Sequence, residues 1–285
     1  MTARPVAAYR PAGDRYVLVE YGDGEELDLR VNFFVLRALD ALTADPPPGL
    51  VEAAPGFRSI LVRFDPARTR RDALIERLRE LHARVPGGSS PPTRSRRIVL
   101  PIAFDHSATR RAIERYAATI RADAPYTGSG GNIGYIVEHN GLPDREALYE
   151  AILGTEWWTA FTGFAPGLPF MFSMRAPTAL SVPKYNPART WTPEGAVGMG
   201  GPCVAIFPVD APGSYQLFGR TLPIYDILGR NRAFRDDPFL IGPGDRVSFT
   251  RVEEDELEEI RRLALEDRYS YHVEDERDRR GAGDP

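Results

Sequence analysis

The sequence predicts an α+β protein of two domains, an N-terminal α/β domain followed by a domain built mainly from β-strands. Between residues 16 and 104, apolar residues recur with strand and helix periods in the order β-α-β-β-α-β. After residue 155, short apolar runs alternate with glycine and proline turns instead. A length of 285 residues fits one large domain or two ordinary ones.

The N-terminal domain is predicted to contain three strands and two helices. Strands are expected at 16–21, 50–53 and 59–64, and the last two are joined by a Pro-Gly turn. Apolar residues at helical spacing predict helices over 31–42 and 69–85. With a further strand at 97–104, this order matches the split βαβ, ferredoxin-like motif.

The position of the domain boundary depends on residues 86–92, which are rich in proline, glycine and serine. This run lies either inside the ferredoxin-like motif or between two domains, in which case the strand at 97–104 opens the second domain. We place the first domain at 1–92 and the second at 93–272.

A helical insert is predicted near 107–153 in the second domain. Ser107 is a candidate cap for a helix that runs to about residue 122, and Pro143 opens another helix that ends at Gly154. Between them, the apolar run at 133–137 predicts a short strand.

The rest of the second domain is predicted to be a β-barrel or sandwich, because many short strands follow one another at close spacing. The candidate strands are 196–199, 203–209, 215–219, 223–226 and 246–251. An amphipathic helix is expected at 253–267. The charged tail at 273–285 is expected to be disordered.

Composition excludes several classes of function. The net charge of −4, without a basic stripe, makes nucleic acid a poor partner. No apolar run has the length of a membrane span, so we expect a cytoplasmic protein that does not act at a membrane. The single cysteine, Cys203, excludes an internal disulfide and is expected to be a buried structural thiol. The four scattered histidines predict no metal site.

A polar segment stiffened by three prolines, residues 182–194, contains the strongest functional candidates. Lys184 is the only lysine of the chain, and Asn186, Arg189 and Arg220 add further hydrogen-bond donors. Such groups suit a carboxylate, a ureido oxygen or a developing oxyanion, and Gln216 would suit an amide-type substrate. Two alternatives remain open: a turn region with solvated polar groups, and a salt bridge at the barrel end for Arg220.

Three motifs resemble one family. Residues 161–170 (FTGFAPGLPF) look like its signature loop, residues 213–221 (GSYQLFGRT) look like its glycine-arginine segment, and residues 184–194 (KYNPARTWTPE) are similar to one branch in particular. The family is that of allophanate hydrolase subunit 1, which includes the C and D subdomains of the urea carboxylase carboxyltransferase and is related to the B subunit of 5-oxoprolinase. The branch is that of urea carboxylase.

The resemblance implies a ferredoxin-like α/β domain, a cyclophilin-like β-barrel and biotin-dependent transfer of a carboxyl group to urea, guanidine or another small amide. Biotin would arrive as carboxybiotin on a partner's carrier, and none would be attached to this chain. The implied partners are a carboxyltransferase subunit like allophanate hydrolase subunit 2, with the A and B subdomains, and a biotin carboxylase with its carrier. The chain alone is expected to be inactive.

The resemblance also implies site residues. Lys184, Asn186 and Arg189 would donate hydrogen bonds during carboxyl transfer. The residues that would shape the substrate cleft are Tyr185, Thr192, Gln216, Arg220, Phe164 and Gly167.

Two other functions remain open. One is a component of an ATP-dependent amide hydrolase of the 5-oxoprolinase or allophanate hydrolase type, which needs no biotin. The other is a non-catalytic regulatory module like the family's sporulation kinase inhibitor. Residues 184–194 favour carboxyl transfer over both.

Overall fold

The computed structural model describes residues 4–22, 24, 27–88, 91–92, 95–128, 130–176 and 178–275. The chain divides into two compact units, Met1–Ser95 and Arg96–Pro285. The first contains an antiparallel sheet with helices and the second a closed β-barrel, which confirms the predicted α+β fold class.

The first unit contains a four-stranded antiparallel sheet and two helices. Its elements in chain order are β1 (Ala7–Pro11), β2 (Tyr16–Tyr21), α1 (Leu29–Ala44), β3 (Leu50–Pro55), β4 (Ser59–Phe64) and α2 (Arg71–Arg84). The sheet order is β1-β2-β4-β3. Alternate residues of the central strands, such as Val17, Val19, Ile60 and Val62, are buried against the helices and form one core.

The outer strand of this sheet differs from the prediction. In place of the strand at 97–104, the N-terminal strand β1 pairs with β2. The spatial order nevertheless matches that of a ferredoxin-like sheet. The strand at 97–104 opens the second unit instead, on the second-domain side of the boundary that we placed after residue 92. β1 is largely exposed and ends in proline, so its apolar alternation was too weak to predict it.

The second unit is built on a ring of seven strands. In chain order it contains β5 (Arg96–Phe104), α3 (Ser107–Thr119), α4 (Gly131–His139), α5 (Arg145–Leu153), β6 (Trp157–Thr162), β7 (Pro169–Ser173), β8 (Arg189–Thr192), β9 (Ala196–Gly200), β10 (Cys203–Ile206), β11 (Ala211–Gly213), β12 (Gln216–Arg220), β13 (Arg246–Arg251), α6 (Glu254–Leu265) and β14 (His272–Asp275). The ring order is β5-β12-β9-β10-β7-β6-β13, closed by the pairing of β13 with β5. Strands β8 and β11 form a separate two-stranded sheet.

The closed ring contains one parallel pair of strands, because a ring with an odd number of strands cannot be antiparallel throughout. β13 runs parallel to β5, whereas the other ring pairs are antiparallel. Apolar residues of the ring strands, including Leu100, Met199, Phe218 and Phe249, belong to one buried cluster. Full closure leaves no exposed edge in the ring itself.

One predicted strand in the helical insert is wrong. The run at 133–137 belongs to helix α4, in which Ile133 and Ile136 face the core. A spacing of three residues suits a helix face, but so short an apolar run does not distinguish a helix from a strand. The preceding helix α3 is capped by His106 rather than Ser107, because the His106 Nδ1 accepts from the Ala108 amide at 3.0 Å.

Two further segments differ from the prediction. The run at 223–226 forms only an isolated bridge between Tyr225 and Phe239. The first residues of the predicted tail instead belong to β14, which pairs with the N-terminal half of β5. Residues 276–285 lie outside the described residues. Within the described part of the chain, no helix has the length and apolarity needed to cross a membrane.

Candidate functional site

The segment 182–186 lies across one rim of the barrel, beside the start of β12. Val182 exchanges two backbone hydrogen bonds with Gly201, at 3.2 and 2.8 Å. The carbonyl of Pro183 accepts from Nε2 of the buried Gln216 at 2.9 Å. The Tyr185 amide also donates to the Ser214 carbonyl at 2.6 Å, so the backbone is held on both sides of Lys184.

One side chain anchors this segment while its neighbours are accessible. Tyr185 is buried, whereas Lys184 and Asn186 on either side of it are exposed. Lys184 and Asn186 thus form the accessible part of the segment, which we call its exposed face, and Tyr185 anchors the segment in the protein.

A cluster of tyrosines holds the end of the segment. Tyr126 and Tyr116 pack against Tyr185, with ring centroids 4.0 and 4.7 Å apart. The Tyr126 hydroxyl accepts from the backbone amide of Asn186 at 2.9 Å, and the Tyr116 hydroxyl donates to the Pro187 carbonyl at 3.0 Å. Burial raises the pKa of Tyr185, so its ring acts as a neutral packing group.

Asn132 links this cluster to the barrel, and the sequence did not predict it as a site residue. Its Nδ2 donates to the Tyr185 hydroxyl at 2.5 Å and to the Tyr126 carbonyl at 3.0 Å. Its Oδ1 accepts from the Leu217 amide of β12 at 2.7 Å. In the sequence, the signal for this role is an asparagine directly after a glycine-rich loop, and this signal is weak. The structure adds that the side chain is buried and hydrogen-bonded at both ends.

Arg189 lies behind the segment rather than on its face, with 1% of its surface exposed. Its Nη1 donates to the Tyr215 carbonyl at 2.7 Å, and its Nε and Nη2 approach the Thr192 hydroxyl at 3.3 and 3.2 Å. The guanidinium carbon lies 4.3 Å from the centroid of the Tyr185 ring. Burial lowers the pKa of Arg189. The structure thus joins Arg189, Tyr185 and Thr192 into an internal support.

Lys184 is the exposed cation of this rim. Its Nζ lies 5.3 Å from the centroid of the Tyr215 ring, and no described carboxylate forms an ion pair with it. Tyr215 packs flat against β9 at Gly200, where a Cβ atom would lie 2.4 Å from the ring. The glycine therefore allows the aromatic ring to support Lys184 from below.

Cys203 lies beside Tyr215 under the same rim. It is buried, and burial raises the pKa of its thiol to about 11. At neutral pH the sulfur is therefore protonated and poorly nucleophilic. This confirms the prediction of a buried structural thiol.

Gln216 is fully buried and positions the segment through Pro183. Its Oε1 has no hydrogen-bond partner among the described residues. An unpaired buried acceptor of this kind costs free energy, on the order of 1–3 kcal/mol. Gln216 therefore lies beneath the exposed face and supports the backbone of the segment through the Pro183 carbonyl.

The structure does not bring Arg220 to Lys184. It lies four residues beyond Gln216 along β12, about 13 Å at the usual rise per residue. Its Nη1 contacts the Glu258 carboxylate at 2.9 Å, and its Nε donates to the Glu194 carbonyl at 3.0 Å. These contacts correspond to the predicted alternative, an ion pair at the barrel end.

Phe164 and Gly167 lie in the hairpin between β6 and β7, on the same rim as Arg220. Both β6 and β12 run antiparallel to the parallel pair β5 and β13, so their C-terminal ends share one end of the barrel. Gly167 has a φ of 71°, and a Cβ there would lie 2.4 Å from Phe239. Phe164 is 70% exposed. The predicted cleft residues therefore divide between two rims.

The rim around Lys184 suits recognition of an anionic oxygen beside an amide. It offers one ammonium group and the Asn186 side chain, for which no described residue is a hydrogen-bond partner. Among the described residues, no three His, Cys, Asp or Glu side chains come together as metal ligands. The chemistry available is therefore charge-assisted hydrogen bonding.

The chain is similar to one known family and to several known proteins. The family described as carboxyltransferase domain, subdomains C and D, matches residues 7–234. The chain is 32% identical over 277 residues to a urea amidolyase of Lachancea kluyveri, covering 95% of this chain and 15% of that protein. It is 28% identical over 248 residues to the 5-oxoprolinase B subunit of Bacillus subtilis, covering 85% of this chain and 91% of that protein.

A solved structure is similar over the same span. The crystal structure of the Kluyveromyces lactis urea carboxylase superimposes with a TM-score of 0.85 at 32% identity, covering 95% of this chain and 24% of that one. The chain thus spans less than a quarter of this urea carboxylase and about one-seventh of the urea amidolyase.

Proposed function

Because the chain belongs to the family of carboxyltransferase domains, subdomains C and D, we propose that it is a carboxyltransferase half-subunit of a biotin-dependent carboxylase that acts on urea or guanidine. The observation that carries the proposal is the exposed pair Lys184 and Asn186 on a buried, hydrogen-bonded support. The similarity to a urea amidolyase over 95% of the chain supports the choice of acceptor.

The donor set of the rim fits this chemistry. Carboxybiotin, presented by a carrier on a partner protein, supplies the carboxyl group that is transferred. The Lys184 ammonium would donate a charge-assisted hydrogen bond to an anionic oxygen at the exposed face. The Asn186 amide, which both donates and accepts, would align an amide-type acceptor such as urea.

The other predicted residues would act through this pair. Arg189, Tyr185 and Thr192 form the internal support, and Gln216 holds the backbone of the segment. We propose that they position Lys184 and Asn186 without touching substrate. A misplacement of about 1 Å can cost around a hundredfold in rate, so such positioning residues matter for activity.

Arg220, Phe164 and Gly167 occupy the opposite rim and would have another task. Phe164 is largely exposed, and Arg220 belongs to an ion cluster with α6. We propose that this rim contacts a partner protein. The partners that we propose are a carboxyltransferase chain with the A and B subdomains and a biotin carboxylase with its carrier.

Reconstitution tests the proposal directly. The chain should be combined with such a partner and carboxylase, and ADP release should be measured with ATP, bicarbonate and either urea or guanidine. We expect acceptor-dependent ADP release that avidin abolishes. In the same complex, Lys184→Met should lower kcat at least a hundredfold. The matched control is Arg111→Met, which removes an exposed positive charge from α3 and should leave kcat unchanged.

A second function is favoured by one observation. The similarity to a 5-oxoprolinase B subunit, at 28% identity, extends over 91% of that subunit. An ATP-dependent amide hydrolase of that type would need no biotin. Activity that survives avidin, with 5-oxoproline as substrate, would refute carboxyl transfer and support this alternative.

A further inference from the structure

The first unit contains a cavity of about 310 Å³ beside β1 and α2, and none of its lining residues is among those proposed for carboxyl transfer. Its polar lining comes from Arg4, Tyr9, Arg79 and His82, and its apolar wall includes Phe34. Among the described residues that line it, none is acidic. The cavity therefore combines positive charge with an apolar surface.

His82 connects two tyrosines at the base of this cavity. The imidazole is 6% exposed, with Nδ1 at 2.7 Å from the Tyr9 hydroxyl and Nε2 at 2.9 Å from the Tyr21 hydroxyl. Burial lowers the pKa of His82 to about 4. At neutral pH the ring is therefore uncharged, with one nitrogen donating and the other accepting.

The surroundings of Tyr21 determine which nitrogen carries the proton. Tyr21 is fully buried, and His82 is the only described hydrogen-bond partner of its hydroxyl. If the Tyr21 hydroxyl accepted from Nε2, its own proton would be buried without an acceptor, at a cost in free energy. The Tyr21 hydroxyl therefore donates to Nε2, and Nδ1–H donates to the Tyr9 oxygen.

This arrangement leaves the hydroxyl proton of Tyr9 without a described acceptor. Tyr9 and His82 both line the cavity, so this proton can be donated to an occupant. The Arg79 guanidinium lies 5.3 Å from the centroid of the Tyr9 ring, and no described carboxylate forms an ion pair with Arg79 or Arg4. A directed hydroxyl donor beside two unpaired guanidinium groups is a set that recognises an oxyanion.

We propose that this cavity binds a small organic carboxylate, with the carboxylate accepting from the Tyr9 hydroxyl and Arg79 and the apolar body lying against the accessible lining residues Pro5, Ala7 and Ala83. The apolar wall distinguishes such a ligand from phosphate, which has no apolar part to bury. His82 is a positioning residue here, because it orients the Tyr9 hydroxyl without contacting the ligand.

Titration of the full chain with butyrate tests the site. Binding is followed by ¹⁵N–¹H NMR shifts of the cavity residues, with inorganic phosphate as the second probe. We expect saturable shifts with butyrate and at least tenfold weaker binding of phosphate. Equal or tighter binding of phosphate, or butyrate shifts spread over the surface without saturation, would overturn the proposal.

Matched variants test the individual donors. Tyr9→Phe keeps the ring and removes the hydroxyl, so butyrate binding should weaken about tenfold. Tyr16→Phe removes a phenol on β2 that does not line the cavity, and it should change binding less than twofold. On α2, Arg79→Gln should likewise weaken butyrate binding, whereas Arg84→Gln is the control because Arg84 does not line the cavity. Equal effects within either pair would contradict the assignment.

The tautomer of His82 gives an independent readout. In protein labelled with ¹⁵N-histidine, the His82→Gln variant assigns the signals of this ring among the four histidines of the chain. We expect the Nδ1–H tautomer at neutral pH, and Tyr9→Phe should shift Nδ1 more than Nε2. An Nε2–H tautomer would overturn the argument for a free Tyr9 proton, whatever the binding result.

Discussion

Replacing Arg189 with alanine should destabilise the barrel unit and affect carboxyl transfer only through the position of the site. The substitution removes the guanidinium that joins the Tyr215 carbonyl, the Thr192 hydroxyl and the Tyr185 ring. These contacts lie inside the protein, where Arg189 is 1% exposed. The effect on stability can therefore be worked out from the groups that lose their partner.

Three losses and one offsetting gain set the magnitude. The buried Tyr215 carbonyl loses its charged donor, which costs about 1–3 kcal/mol. The cation–π contact with Tyr185 contributes about 2 kcal/mol when desolvated, and the space left by the side chain adds to the loss. Removing a buried cation without a described carboxylate partner offsets part of this. We expect a net loss of about 3 kcal/mol.

Urea unfolding followed by tryptophan fluorescence measures this loss in the relevant unit. All three tryptophans, Trp157, Trp158 and Trp191, belong to the unit Arg96–Pro285. The control Arg111→Ala, on the exposed face of α3, should change the unfolding free energy by less than about 0.5 kcal/mol. An Arg189→Ala variant of unchanged stability with a raised KM for the acceptor would refute the positioning role.

Two further predictions follow from the packing and the charges. Gly200→Ala should cost about 1–3 kcal/mol and lower kcat, because its Cβ would lie 2.4 Å from the Tyr215 ring beneath Lys184. Gly134→Ala in α4 has open space and should stabilise by about 0.5–1 kcal/mol, and urea unfolding distinguishes the two variants. Because the pKa of His82 is lowered to about 4 in the folded chain, the unfolded chain binds the extra proton first as pH falls from 6.5. Stability should therefore drop by up to about 3 kcal/mol between pH 6.5 and 4, and His82→Gln should remove this part of the pH dependence in denaturation followed by circular dichroism. Identical pH profiles of stability for the wild type and His82→Gln would contradict this prediction.

Apolar periodicity was sufficient for the fold class and for most elements of the first unit. The strands Tyr16–Tyr21 and Ser59–Phe64 and the helix Leu29–Ala44 lie where alternation or helical spacing predicted them. Periodicity was insufficient for the short elements. β1 has little buried surface, and the apolar run of α4 is too short to distinguish a helix from a strand.

The site was only partly predictable because sequence spacing does not specify which rim a strand end occupies. Lys184 and Asn186 are close in the chain to three of their supporting residues, Tyr185, Arg189 and Thr192, and the fold keeps these residues together. Arg220 is only four residues from Gln216, yet the rise along β12 carries it to the other end of the barrel. The bridging role of Asn132 depends on a hydrogen bond from the Leu217 amide, 85 residues away in the chain, to its Oδ1, so no local pattern indicates this role.

Chemical labelling of Lys184 shows whether this residue faces a site shared with a partner. Because Lys184 is the only lysine, an amine-reactive acylating reagent has one side-chain target, and the α-amino group serves as an internal control. Mass spectrometry gives the acylation rate of the chain alone and in the complex with the biotinylated carrier, ATP, bicarbonate and urea. We expect rapid labelling of the free chain and at least tenfold protection of Lys184 in the complex. Equal labelling rates in the two states would contradict this expectation.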